Sequence, residues 1–348
     1  MSLTTTIVIL VAGFVVVLLL TPTVRRLAVY LGAVDMPAAR KVHRQPIPRL
    51  GGLAIYGGFL LVLLLSRPWA PPVTGLTLGS TLIVLVGIWD DCRELSAKVK
   101  LAAQVAAAVV VVVFGIRVDF FTNPFDGLIF LGALAAPVTV IWIVGITNAL
   151  NLIDGLDGLA GGTAAIAAVT VAVVAWMEGQ PTAAFYALAL SLCALGFLRY
   201  NFFPAKIFMG DTGSMFLGFN LAILAIMGLT KTATIISFLV PVVILGWPII
   251  DTFWAILRRY RNHQPIMAPD KQHLHHQLLN LGLSQRQAVL VVYILDGCLG
   301  ACAILLNLLP PAQGILLLVV ILAMVAVGCY LVRAASHHRV SSELTRQM

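Results

Sequence analysis

Asn148-Ala149-Leu150-Asn151-Leu152-Ile153-Asp154-Gly155-Leu156-Asp157-Gly158-Leu159-Ala160-Gly161-Gly162 lies between two apolar runs, about 130–147 and 161–177, each long enough to cross a bilayer. Its polar side chains recur every third residue: Asn148, Asn151, Asp154, Asp157. On a helix, residues three apart are surface neighbours, so successive members of this row touch. The glycines from Gly155 onward weaken regular helix. The stretch therefore reads as a helix end opening into a polar, glycine-rich turn. A water-exposed loop with Asx caps would show the same residues. Two carboxylates and two amides at a membrane edge are costly, however, and usually mark function.

The surrounding chain carries the same signal throughout. Of its 348 residues 60% are hydrophobic and 10% charged, where a soluble domain has about 25% charged. Apolar runs of about 20 residues exclude a soluble enzyme and indicate an all-α, polytopic integral membrane protein. The expected spans are about 4–22, 51–66, 74–89, 99–116, 130–147, 161–177, 183–199, 214–230, 233–256, 286–307 and 313–332, about eleven in all. Residues 1–332 form one transmembrane catalytic domain, and 333–348 a tail.

Charge orients the bundle. With the N-terminus outside, only Arg67, Arg117 and Lys231 of the 22 Lys and Arg fall in outer loops. The cytoplasmic segments are then 23–50, 90–98, 148–160, 200–213 and 257–285, with the C-terminal tail also inside. A pI near 9.5 is explained by this bias, and no nucleic-acid partner is expected. Segment 1–22 lacks a basic leader, and Arg25 and Arg26 follow it, which suits an uncleaved first span. The five cysteines form no Cys-x-x-Cys pair and read as small core residues.

The same topology sorts the acidic and histidine-rich motifs onto one face. Asp90 and Asp91 end one span, and Lys98 and Lys100 open the next, with Ser96 placed to cap it. Asp211 lies in the glycine-flanked turn Phe208-Met209-Gly210-Asp211-Thr212-Gly213-Ser214. It could cap the following helix, but Thr212 and Ser214 can do so, leaving Asp211 free for a metal. Magnesium needs only one or two carboxylates when phosphate supplies its other oxygens. His273, His275 and His276 lack the partners of a tetrahedral zinc site and sit near Arg258, Arg259 and Arg261, which favours phosphate. The proline-containing loop from Asp35 to Gly52 is densely basic, reading equally as topogenic charge or as an anion site. Intramembrane Asp251 and Asp296 receive no role. Carboxylates for a hard cation, cationic side chains and an inner-face location together point to phosphoryl chemistry on a lipid.

Five motifs in order also resemble the polyprenyl-phosphate N-acetylhexosamine-1-phosphate transferases. They are Arg40-Lys41-Val42-His43 with Pro48-Arg49-Leu50-Gly51-Gly52, Asp90-Asp91, Asn148 to Ala160, Phe208 to Ser214, and His273-Leu274-His275-His276. The resemblance covers about residues 35–285. The interrupted histidine motif is similar to the branch that starts O-antigen, common antigen or teichoic-acid linkage units. Leu274 departs from the three consecutive histidines of the peptidoglycan branch. The family implies transfer of N-acetylglucosamine 1-phosphate from UDP-N-acetylglucosamine to undecaprenyl phosphate, with release of UMP, in the bacterial inner membrane. It implies magnesium, with manganese allowed, on Asp211. It also implies catalytic roles for Asp90, Asp91, Asp211 and His275. His273, His275 and His276 would contact the diphosphate, and Lys98 or Lys100 a phosphate. Asn201 and Phe208 would hold the uridine, with Asn151 and Asp157 close by and Asn148 and Asp154 in the same motif. Arg259 would sit in the sugar-reading loop. Membrane lipid is the remaining partner, and a homodimer is allowed. The alternatives are a phospho-MurNAc-pentapeptide transferase and, from another class, a secondary transporter; transporters place polar sites near the midplane and often show internal repeats.

Overall fold

The computed structural model describes residues 2–37, 45–66, 70–122, 128–228, 242–243, 245–261, 274–310 and parts of 313–328. The helices are α1 (Leu3–Tyr30), α2 (Gly52–Ser66), α3 (Pro71–Arg93), α4 (Ala97–Val113), α5 (Ala135–Ile153), α6 (Leu159–Met177), α7 (Pro181–Asn201), α8 (Gly210–Met227), α9 (Gly246–Arg261), α10 (Leu274–Asn280) and α11 (Gln285–Leu308). A 3-10 turn, Gly132–Leu134, leads into α5. Two small antiparallel ribbons also occur among the described residues. β1 (Val34–Asp35) pairs with β2 (Ile47–Pro48), and β3 (Phe120–Thr122) with β4 (Leu128–Phe130).

Seven described helices are long and apolar enough to cross a membrane: α1, α3, α5 with its leading turn, α6, α7, α8 and α11. The shorter α2 is also apolar. The helical membrane class is as expected, with two-residue and three-residue strand pairs added at loops. Of the expected spans 233–256 and 313–332 only parts are among the described residues: α9 takes up the end of the first, and the described stretches of the second are helical.

The bundle is organised around α8. Its sequence is apolar all round, the pattern of a helix with no solvent or lipid face. It packs against α2, α3, α5, α6 and α7. By contrast α1 leaves Leu3, Ile7, Val8, Val11 and Leu19 uncovered, as an edge helix facing lipid would. Close approach to α8 depends on small residues. Gly52 of α2 abuts Gly213, and Gly87 of α3 abuts Thr212, with no room for a Cβ at either glycine. Farther along α8, the Ser80 hydroxyl donates to Asn220 Oδ1 (2.9 Å), and Asn220 Nδ2 donates to the Phe216 carbonyl (2.8 Å). Both polar side chains are fully buried, and this pairing removes the cost of an unmatched group.

Helix ends overrun the expected loops. The turn between α5 and α6 is only residues 154–158, and Gly161 and Gly162 lie inside α6. Their helical cost is offset by contact: Gly161 faces Leu198 and Met209, and Gly162 lies against the Tyr293 ring. The C-terminal ends of α3, α5 and α7 and the N-terminal ends of α4, α6 and α8 thereby meet at one end of the bundle.

Candidate active site

The N-terminus of α8 is the centre of this end. Its N-cap residue, Met209, has no side-chain capping bond. Capping comes instead from a different helix. Asp91 Oδ1 accepts from the Asp211 amide (3.0 Å), and Oδ2 accepts from the Thr212 amide (3.0 Å) and the Thr212 hydroxyl (2.6 Å). An anion at a helix N-terminus satisfies otherwise orphaned N–H groups and complements the dipole. Gly210 is required here twice over. Its φ of +70° lies in the left-handed region, and a Cβ would collide with the Asp91 carboxylate. Thr212 therefore donates its hydroxyl to Asp91, and Ser214 donates to the Gly210 carbonyl (3.1 Å). Neither caps the helix by itself, and Asp211 does not either.

Asp211 is thus left to face the other helix ends. Lys100, one turn into α4, donates to Asp211 Oδ2 (2.8 Å) and to Asp90 Oδ2 (3.2 Å). Asp90 Oδ1 accepts from the Leu95 amide (2.7 Å), fixing the turn between α3 and α4. Ser96 caps α4, accepting from the Val99 amide (3.4 Å), which sets the height of Lys100. Lys98 is exposed on the same helix start.

The Asn148–Asp157 row divides by role. Asn148 exchanges amide bonds with buried Gln104 of α4, donating to Gln104 Oε1 (2.6 Å). Asn151 donates to the Ser214 hydroxyl (2.8 Å), tying α5 to α8 beside Asp211. Asp157 Oδ2 accepts from the Ala205 amide (2.9 Å). Asp154, at the C-cap of α5, makes no side-chain hydrogen bond or ion pair among the described residues. Loss of hydration raises its pKa, and the negative charges of Asp211, Asp91 and Asp157 raise it further, to about 8.

Asn201 and Phe208 build the loop between α7 and α8. Asn201 is buried; its Oδ1 accepts from the Gly158 amide (3.1 Å) and its Nδ2 donates to the Ile207 carbonyl (3.0 Å). Phe208 pairs with the first loop: its amide donates to the Pro48 carbonyl (2.8 Å), and its carbonyl accepts from the Gly51 amide (2.9 Å). Asn201 and Phe208, expected beside a uridine, both lie at this loop, where the Asn201 side chain and the Phe208 backbone brace the wall. The same loop carries Arg49, whose Nε donates to the Asp91 carbonyl (3.2 Å) and whose guanidinium lies 3.8 Å from both Asp35 and Glu94. Arg49 and Gln104 were not singled out individually from the sequence, because a basic loop and a lone glutamine carry no spacing signal.

Arg259 is buried near the end of α9. His275 and His276 lie on α10; their side chains, and the whole of His273, are outside the described residues, as are Arg40, Lys41 and His43. Asp251 Oδ1 accepts from the Leu274 amide (3.1 Å) at the start of the histidine helix.

Asp90 and Asp211 therefore flank Lys100, while Asp154 feels the charges of Asp211, Asp91 and Asp157 beside them. No three His, Cys, Asp or Glu side chains among the described residues converge tightly enough to hold a metal unaided. Oxygen donors crowded together, with the Asp154 carboxyl left without a hydrogen-bond partner among the described residues, suit a hard divalent cation that takes its remaining ligands from phosphate or water.

A family model described as glycosyl transferase family 4 matches residues 73–229. The chain is 45% identical over 299 residues to the probable undecaprenyl-phosphate N-acetylglucosaminyl 1-phosphate transferase of Bacillus subtilis, covering 85% of this chain and 84% of that one. It is 34% identical over 308 residues to the decaprenyl-phosphate N-acetylglucosaminephosphotransferase of Mycolicibacterium smegmatis, covering 80% and 76%. A third relative, the undecaprenyl-phosphate alpha-N-acetylglucosaminyl 1-phosphate transferase of Salmonella typhi, is 26% identical over 276 residues, covering 77% and 75%.

Proposed function

Because the chain belongs to glycosyl transferase family 4, we propose that it transfers N-acetylglucosamine 1-phosphate from UDP-N-acetylglucosamine to undecaprenyl phosphate, giving UMP and undecaprenyl-diphosphate-N-acetylglucosamine. The relatives' names supply the acceptor class and the sugar. The structural observation that carries the reading is the Lys100 ammonium, held between Asp90 and Asp211 at the meeting point of six helix ends.

In this reaction an oxygen of the lipid phosphate attacks the phosphorus that bears the sugar. A new P–O bond forms, the P–O bond to the uridylate breaks, and UMP leaves with that electron pair. A phosphate monoester has a second pKa of about 6, so the nucleophile is already ionised at neutral pH and needs no dedicated base. The protein's task is positioning and charge neutralisation. Lys100 presents a cation to phosphate, and Asp90 keeps it in place. Asp91 fixes the start of α8 and so the direction of Asp211. Asn151 braces the same turn from α5. Magnesium on Asp211, with Asp154 beside it, would offset the diphosphate charge as UMP departs. The histidines of α10 and Arg259 supply further cationic or donor groups for diphosphate and sugar.

The positive-charge bias supports a cytoplasmic location for this end of the bundle, in a bacterial inner membrane, where nucleotide sugars are available. The first step of a cell-envelope glycan fits these reactants. The test is purified protein in detergent with undecaprenyl phosphate and a panel of UDP-sugars, followed by UMP release and by the lipid product. Faster turnover of a UDP-muramyl-pentapeptide donor would reassign the chain to the peptidoglycan branch. No UMP from any donor in the presence of acceptor would refute the reading.

A further inference from the structure

Helix α11 belongs to none of the sequence motifs, yet one face of its first half grips the catalytic end at three points. Arg286 donates through Nε and Nη2 to the Phe203 carbonyl (3.3 and 3.1 Å), and its guanidinium lies 5.5 Å from the Phe203 ring centre. Tyr293, seven residues on, donates its hydroxyl to the Gly158 carbonyl (2.6 Å). Asp296, a further three on, is buried and accepts from the Thr163 hydroxyl of α6 (2.6 Å). Spacings of seven and three place all three residues on one helix face.

The middle contact matters most. Gly158 closes the turn that carries Asp154 and Asp157, and its φ of +82° is left-handed. Both its backbone groups are held from outside the turn: the amide by Asn201 and the carbonyl by Tyr293. Gly162, one turn into α6, leaves the space that the Tyr293 ring fills. At its other end α11 follows the histidine helix almost directly. Only residues 281–284 separate them, and Ser284 closes α11 with a capping box to Gln287. Leu278 of α10 is buried, and α10 packs on α11.

We propose that Tyr293 is a positioning residue that locks the Asp154–Asp157 turn to the helix bearing His275 and His276, so that both engage one nucleotide-sugar donor. The inference rests on the function proposed above. One hydroxyl, donated to one carbonyl, sets the register between two segments that are distant in sequence and belong to one site. The lipid acceptor does not depend on this register, because the cation that would meet its phosphate, Lys100 on Asp90, is fixed through α3 and α4.

Tyr293→Phe removes the hydroxyl and keeps the ring against Gly162. The expected result is a fall of about tenfold in kcat/KM for UDP-N-acetylglucosamine, the size of one lost hydrogen bond to a buried carbonyl. The KM for undecaprenyl phosphate should stay at the wild-type value, and the melting temperature should fall by no more than about 6 °C. Hydrogen exchange should quicken in 154–158 and 274–280 and stay unchanged in α3. A wild-type kcat/KM for the donor, at any melting temperature, overturns the proposal, as does an equal loss for donor and acceptor. If wild-type protein transfers no sugar phosphate, the functional reading has failed by itself. Unchanged exchange at 154–158 in Tyr293→Phe would then still overturn the latch, and quickened exchange in both segments would uphold it.

Discussion

Asp91→Asn separates a group that builds the site from one that touches substrate. The carboxylate accepts three hydrogen bonds from the first turn of α8, at 2.6–3.0 Å. An asparagine has one acceptor oxygen in place of two, and its NH2 must face an N–H donor. At least one amide, of Asp211 or Thr212, loses its partner. A buried unsatisfied N–H costs about 1–3 kcal/mol. Loss of the anion at the helix N-terminus adds about 0.3–2 kcal/mol. Relief of repulsion with the neighbouring carboxylates offsets part of this, leaving about 1–4 kcal/mol. For domains of 150–250 residues, that corresponds to a melting point about 2–16 °C lower. Turnover should fall as well, because Asp211 hangs from the loosened turn. The assay is thermal unfolding in detergent, alongside initial rates at saturating magnesium and well below the mutant's melting temperature. A variant that melts like wild type yet turns over at least about a hundredfold more slowly would refute the capping argument and place Asp91 on substrate or metal.

Asp211→Asn keeps the size of the side chain and removes the anionic oxygen; turnover should drop at least about a hundredfold and stay low as magnesium is raised. Near-normal activity of this variant at low magnesium would hand the ion to Asp90, Asp154 or Asp157. Asp154 makes the metal-free protein pH-sensitive in a defined direction. Its pKa of about 8 in the fold exceeds the ordinary carboxylate value of 3.8, so the folded state holds more protons than the unfolded chain between about pH 4 and 8, and stability falls as pH rises through that window. Melting temperature against pH, without divalent ions, should slope less in Asp154→Asn, and added magnesium should flatten the wild-type curve; equal slopes would refute the charge crowding. For topology, cysteines introduced in 117–129 should react with an impermeant reagent added to intact cells, and those in 257–285 should not; the opposite pattern would invert the bundle.

Much of this protein is written locally. Apolar runs of bilayer length set α1, α3, α5, α6, α7, α8 and α11, because a backbone in lipid must satisfy its own hydrogen bonds. The three-residue spacing of Asn148, Asn151, Asp154 and Asp157 made the α5 end and its turn legible, and Ser96 announced the start of α4. Composition and motif order indicated phosphate chemistry. Tertiary structure alone decided which polar groups build the site and which face its space. Asp90 and Asp91 are neighbours in sequence, yet one grips Lys100 and the other the amides of α8, since consecutive residues on a helix point about 100° apart. The side-chain amides of Asn148 and Asn201 join helices and loops through Gln104, Gly158 and Ile207, partners that no local pattern announces. Gln104 and Tyr293 left no local trace, because their partners Asn148 and Gly158 lie 44 and 135 residues away and a hydrogen bond of that kind exists only once the helices have packed.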